Sequence, residues 1–296
     1  MAEQMPYYYA DEGSGFRKHF EGLIPIVILL LIGLVIVGKT TTVFCNVPGL
    51  NAVFCQKSQA KVAILGDLTQ DANTQIKAER FRAVLESDAK TFNIFTQPIL
   101  PGELLFAREN RLKQFDAVVL VGIQNLSYQE REALGNYVNG GGKVIVIGDA
   151  GTRDPADNLI RGWSSAAFGD NFPVRLSISQ PIGPNDVPRK LISQPQMWFT
   201  AEDHVIQFRS YAERFSVNLS ENGCVDSINA VDVVPKDGNS KILAYLANPG
   251  NPPTILVPGI VERSSGFGAG KIIYFNYDPG CTPRLALVTI RYLTDV

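Results

Sequence analysis

The sequence predicts an α/β fold: a doubly wound, mostly parallel sheet with a β-rich insertion, preceded by one transmembrane helix. Three observations carry this. An uncharged apolar run lies near the start, apolar strand-like runs alternate with helix-period segments from Lys61, and that alternation lapses between about 152 and 240 before it returns. The expected division is a tail at 1–21, a membrane helix at 22–44, a juxtamembrane linker at 45–60 and an α/β domain at 61–296.

Gly22 to Gly38 reads GLIPIVILLLIGLVIVG. At about 1.5 Å per residue this covers about 26 Å as a helix, just short of the ~30 Å hydrocarbon core. Continuing through Lys39, Thr40, Thr41, Thr42, Val43 and Phe44 closes the gap, because a lysine head can snorkel and helical threonine hydroxyls bond back to carbonyls. A buried core helix would show a polar face, and a cleaved signal peptide a small-residue cleavage motif; the run has neither. Arg17 and Lys18 flank it on the tail side, against Lys39 and Lys57 on the other, so charge alone sets no orientation. All four cysteines, Cys45, Cys55, Cys224 and Cys281, follow the span, which suits an oxidising compartment and places the domain outside the cytoplasm with the N-terminus inside. Cys45 with Cys55 and Cys224 with Cys281 is the natural pairing, although four cysteines allow three arrangements and reduced buried thiols are the alternative. Asn125-Leu126-Ser127 and Asn218-Leu219-Ser220 are short glycosylation sequons compatible with that placement.

Within the domain, KVAILG at Lys61–Gly66 is apolar and branched enough for a buried strand. Ile76, Phe81, Val84, Leu85 and Phe92 then recur at roughly helical spacing. A strand at Asn93–Gln97, a helix from Pro101 to Gln114, a strand at Asp116–Val121 and a helix at Tyr128–Val138 follow; Gly140, Gly141 and Gly142 stop that helix, and KVIVIG starts the next strand. From Thr152 to Lys241 the pattern alternates only in short bursts, at Val174–Ile178, His204–Phe208 and Ala230–Val234, which reads as an insertion with antiparallel pieces. Trp163, Phe168, Trp198 and Phe199 fall there, suited to a small core of their own or to a sugar or protein surface. Strands at Lys241–Leu246, Thr254–Val257 and Lys271–Tyr277 and a helix at Pro283–Leu293 close the domain.

Composition removes several functions. Lys and Arg total 27 against 29 Asp and Glu, so no basic field gathers nucleic acid. With only His19 and His204, a multi-histidine metal site or a histidine relay has little to draw on. GFGAGK at 266–271 precedes a strand and lacks the Ser or Thr of a phosphate loop, and Gly140–Lys143 leaves a helix instead of opening one. No cofactor is expected. Ligands of open parallel sheets bind beyond the carboxyl ends of the strands, which nominates Asp67, Gly122, Gln124, Asp149, Thr152 and Asp278. Asp67, Asp149 and Asp278 are suited to holding a cation or to acid–base work, and equally to capping helices and turns. Whether a metal binds stays open.

The run DAVVLVGIQNLSYQEREALGNYVNGGGKVIVIGDAG, followed much later by GFGAGKIIYFNYDPG, resembles the class I glutamine amidotransferase-like superfamily over about half of the chain. It is closest in look to that superfamily's non-catalytic branch in membrane-associated and glycan-handling complexes. Catalytic members place a nucleophilic cysteine in a sharp turn after a strand. The matching turn here, Ile147-Gly148-Asp149-Ala150-Gly151, puts that position on or near Asp149, and no cysteine stands there. The resemblance thus implies the fold without the nucleophile. The expected function is a membrane-anchored, non-enzymatic subunit or binding module with protein or glycan partners. The alternative is a membrane-anchored hydrolase or transferase that uses carboxylates or a cation. Gly33 and Gly38, five apart, are a weak sign of helix packing within a membrane assembly.

Overall fold

The computed structural model describes residues 59–66, 72–87, 93–106, 112–156, 159–160, 162–164, 166–177, 187–200, 216–219, 227–250, 252, 254–265 and 270–294, with 25, 27–30 and 32–33 near the start. The chain divides into Met1–Ser58 and Gln59–Val296. In the first unit the described residues are helical, and they lie inside the predicted span. Among the described residues no helix is long and apolar enough to cross a membrane; the rest of the 22–44 run, the tail and the linker through Ser58 lie outside them.

Gln59–Val296 is a mixed α/β unit. In chain order it runs β1 (Ala60–Leu65), α1 (Ala72–Ser87), β2 (Ile94–Ile99), α2 (Pro101–Phe106), a 3-10 turn (Leu112–Gln114), β3 (Ala117–Leu120), α3 (Tyr128–Asn139) and β4 (Lys143–Ile147). Next come α4 (Ala166–Asn171), β5 (Val174–Leu176), β6 (Arg189–Ser193), β7 (Gln196–Phe199), β8 (Ser216–Asn218), β9 (Ser227–Val231) and β10 (Val233–Pro235). The unit closes with β11 (Lys241–Asn248), β12 (Thr254–Ser264), β13 (Lys271–Phe275), a 3-10 turn (Pro279–Cys281) and α5 (Pro283–Thr294). The central sheet has nine strands in the order β2-β1-β3-β4-β13-β12-β11-β7-β8. The first five are mutually parallel, and each later neighbour is antiparallel to the one before.

The parallel strands are buried on both faces because their side chains alternate between two cores. Val62, Ile64, Val119, Ile145, Ile147, Ile273 and Phe275 face α1 and α5. Ala63, Leu65, Val118, Leu120, Val144, Val146 and Tyr274 face α2, α3 and α4. Along α1, Ala78, Phe81 and Leu85 supply the i, i+3, i+7 stripe that meets the sheet, and the full burial of Phe81 and Leu85 contributes roughly 2 kcal/mol each before entropy is counted. Helix α3 starts at a capping box: the Ser127 hydroxyl accepts from the Glu130 N–H at 3.3 Å, and the Glu130 carboxylate accepts from the Ser127 N–H at 2.7 Å. Gly135 lets α4 lie directly on α3, since a Cβ there would come within 2.4 Å of the Phe168 backbone nitrogen.

The insertion differs from its expected layout. Strands β7 and β8 join the main sheet, while β5 with β10 and β6 with β9 form two separate antiparallel ribbons. Among the described residues, Trp163, Phe168 and Phe199 belong to the two cores of the main sheet, not to a small core of their own. Trp163 stacks on Phe172 with ring centroids 4.5 Å apart and meets Tyr274 of β13 edge-on at 5.4 Å, so it belongs to the core under the main sheet. Phe199 packs in the opposite core. Strand β12 runs past Pro258 and Gly259 to Ser264, longer than expected, and register shifts along β11 absorb the irregularity. The expected helix at 101–114 is a short α2 and a separate 3-10 turn, with 107–111 outside the described residues.

Candidate functional site

The carboxyl ends of β3, β4 and β13 bring part of the predicted set together. Beyond β3 the chain turns at Gly122, whose φ of +70 suits glycine, and reaches Gln124. Beyond β4, Gly148 and Gly151 take φ of +63 and +74, and Asp149 lies between them. The two loops are sewn together by backbone bonds from Gly151 N–H to the Ile123 carbonyl at 2.6 Å and from Arg153 N–H to the Gln124 carbonyl at 2.9 Å. The Gln124 side-chain amide donates to Asp149 Oδ2 at 2.7 Å. Thr152 is fully buried, and its hydroxyl donates to the Asp149 carbonyl at 2.8 Å.

A residue that carried no local signal completes this cluster. Arg189, on β6, donates to the same Asp149 Oδ2 at 2.5 Å and to the Asn229 carbonyl on β9 at 3.1 Å. The pair is partly shielded, with side chains 39% and 16% exposed. Forty positions separate Arg189 from Asp149, so neither spacing nor motif announces the contact. It fastens the β6–β9 ribbon against the end of β4. Asn276, just beyond β13, fastens it a second time. Its side-chain amide accepts from the Val231 N–H at 2.8 Å, donates to the Val231 carbonyl at 2.8 Å, and donates to the Pro258 carbonyl at 3.0 Å. It thus imitates a sheet ladder where strand pairing has ended. Tyr274 donates to the same Asn276 Oδ1 at 3.2 Å. Burial, with a smaller push from the Asp149 charge and an opposing pull from Arg189, raises the Tyr274 phenol well above its ordinary value. It stays protonated and serves as a donor.

A third clamp holds the loops from behind. Arg131 of α3 is buried, and its guanidinium donates to the carbonyls of Leu126 at 3.0 Å, Gly162 at 2.8 Å and Arg153 at 2.8 Å. Its position on an amphipathic helix suggested nothing of this. Asn125, the first sequon residue, forms a bridge with Arg153, and its Oδ1 is buried.

Asp278 does something else. Its Oδ1 accepts from the Gly280 N–H at 2.9 Å, capping the turn before α5, and its Oδ2 lies 3.8 Å from Arg80 of α1. Asp67, Cys45, Cys55, Cys224 and His204 lie outside the described residues, so the acidic trio and the cysteine pairing stand as expectations; Cys281 is buried in the turn that Asp278 caps. Among the described residues no group of three or more His, Cys, Asp or Glu side chains gathers as metal ligands would.

The turn after β4 also lacks the geometry of a nucleophile elbow. Such an elbow strains the nucleophile itself and runs straight into a helix. Here the left-handed conformations fall on Gly148 and Gly151, and among the described residues the next helix is Ala166–Asn171.

No family model matches the chain, and no curated protein does. Among solved structures it is similar to a β-galactosidase from Bacillus circulans sp. alkalophilus, with TM-score 0.51 and 14% identity over 80% of this chain and 31% of that one. It is also similar to a ThuA-like protein from Bacteroides uniformis (TM-score 0.46, 13% identity, 79% of this chain and 91% of that one). A third is the glutaminase domain of Trypanosoma brucei CTPS with bound acivicin (TM-score 0.44, 10% identity, 80% and 94%). The chain spans under a third of the β-galactosidase. These likenesses are of fold alone.

Proposed function

We propose that the chain is a membrane-anchored, non-enzymatic subunit or binding module. Its glutamine amidotransferase-like domain, of the non-catalytic membrane-associated branch, is presented outside the cytoplasm to a protein or glycan partner. One observation carries the reading: the strand-end carboxylate at the nucleophile position is taken up in holding the insertion. Asp149 Oδ2 receives both Gln124 and Arg189, and Asp278 caps a turn. A general acid or base needs its carboxylate within reach of a substrate proton. In this arrangement Asp149 organises structure.

The anchor rests on the uncharged run of Gly22–Gly38 and its continuation to Phe44. Alkaline carbonate extraction of native membranes, with protease added to sealed vesicles or cells, tests anchor and orientation together. Retention in the pellet, with the domain digested from outside, is the expected result. Release into the supernatant, or a domain shielded until the membrane is opened, contradicts the reading.

A further inference from the structure

We draw no further inference here: the strongest candidate, the register pair of half-buried aromatic residues Trp198 on β7 and Tyr245 on β11, which belongs to neither core of the sheet, carries nothing because nothing in the structure shows what covers that face.

Discussion

Three side chains, Arg131, Arg189 and Asn276, hold the strand-end loops and the ribbon in place, and Arg131 and Asn276 do so through buried groups that are costly to abandon. Removing the Arg131 guanidinium leaves the carbonyls of Leu126, Arg153 and Gly162 without the donor they share. Arg131→Met should therefore lower stability by about 3 kcal/mol, read as a lower urea midpoint at unchanged slope. The Asp149–Arg189 pair is more exposed, so a double-mutant cycle of Asp149→Asn and Arg189→Gln should give a coupling of only about 1 kcal/mol. A coupling near zero would show that the ribbon is held by Asn276 and apolar packing alone. Asp149→Asn is also a poor probe of catalysis, because any lost activity would follow a loosened ribbon as readily as a lost acid. Acid sensitivity has its own residue. The Arg263 hydrogen bond holds the Asp237 carboxyl below the usual aspartate range, against a small opposing effect of burial. A carboxyl depressed by folding contributes stability above its unfolded pKa and loses it as pH falls through the folded value. Asp237→Asn should thus lower the melting temperature at pH 7, and the gap from wild type should close in acid below about pH 4; a gap that persists there would assign the loss to packing.

At the scale of elements, the edge of the sheet shows why a sequence signal can mislead. Pro98 inside IFTQPI argues against a strand, yet β2 runs through it. Ala60 donates its N–H to the Asn93 carbonyl, so residues of odd number in β2 face β1 and Pro98 turns its nitrogen outward. A proline is tolerated there, and it removes a donor from an otherwise open edge. Pro98→Val should raise self-association at high concentration in sedimentation velocity with little change in monomer stability; a variant that stays monomeric would mean that the edge is protected by other means. The parallel strands and α1, α3 and α5 were legible because their apolar periods are local. Ser127 and Glu130 announce the start of α3 in the same local way. Strands β7 and β8 were not legible, since QMWF and SVN are too short to show a period and form strands only by pairing with β11 and with each other. The length of β12 was hidden by Pro258 and Gly259, which read as breakers.

At the scale of the whole molecule, the sheet joins a parallel half to an antiparallel half, and among the described residues of the insertion the β6–β9 ribbon is fastened at the strand ends by Asp149 and Asn276. Gln124, Asp149 and Thr152 were legible as a strand-end group because the topology alone puts them there. Their partner Arg189 and the clamp residue Asn276 were not, because they act through contacts of 40 and 45 positions that no local pattern encodes. That difference separates a place where a ligand site would be expected from what occupies it. The proposed reading is that this scaffold is membrane-anchored and holds a partner. The most direct measurement is affinity isolation of the intact detergent-solubilised protein from its own membranes, with absolute quantification of everything retained. A partner in stoichiometric amount is the predicted result, and recovery of the chain alone would contradict it.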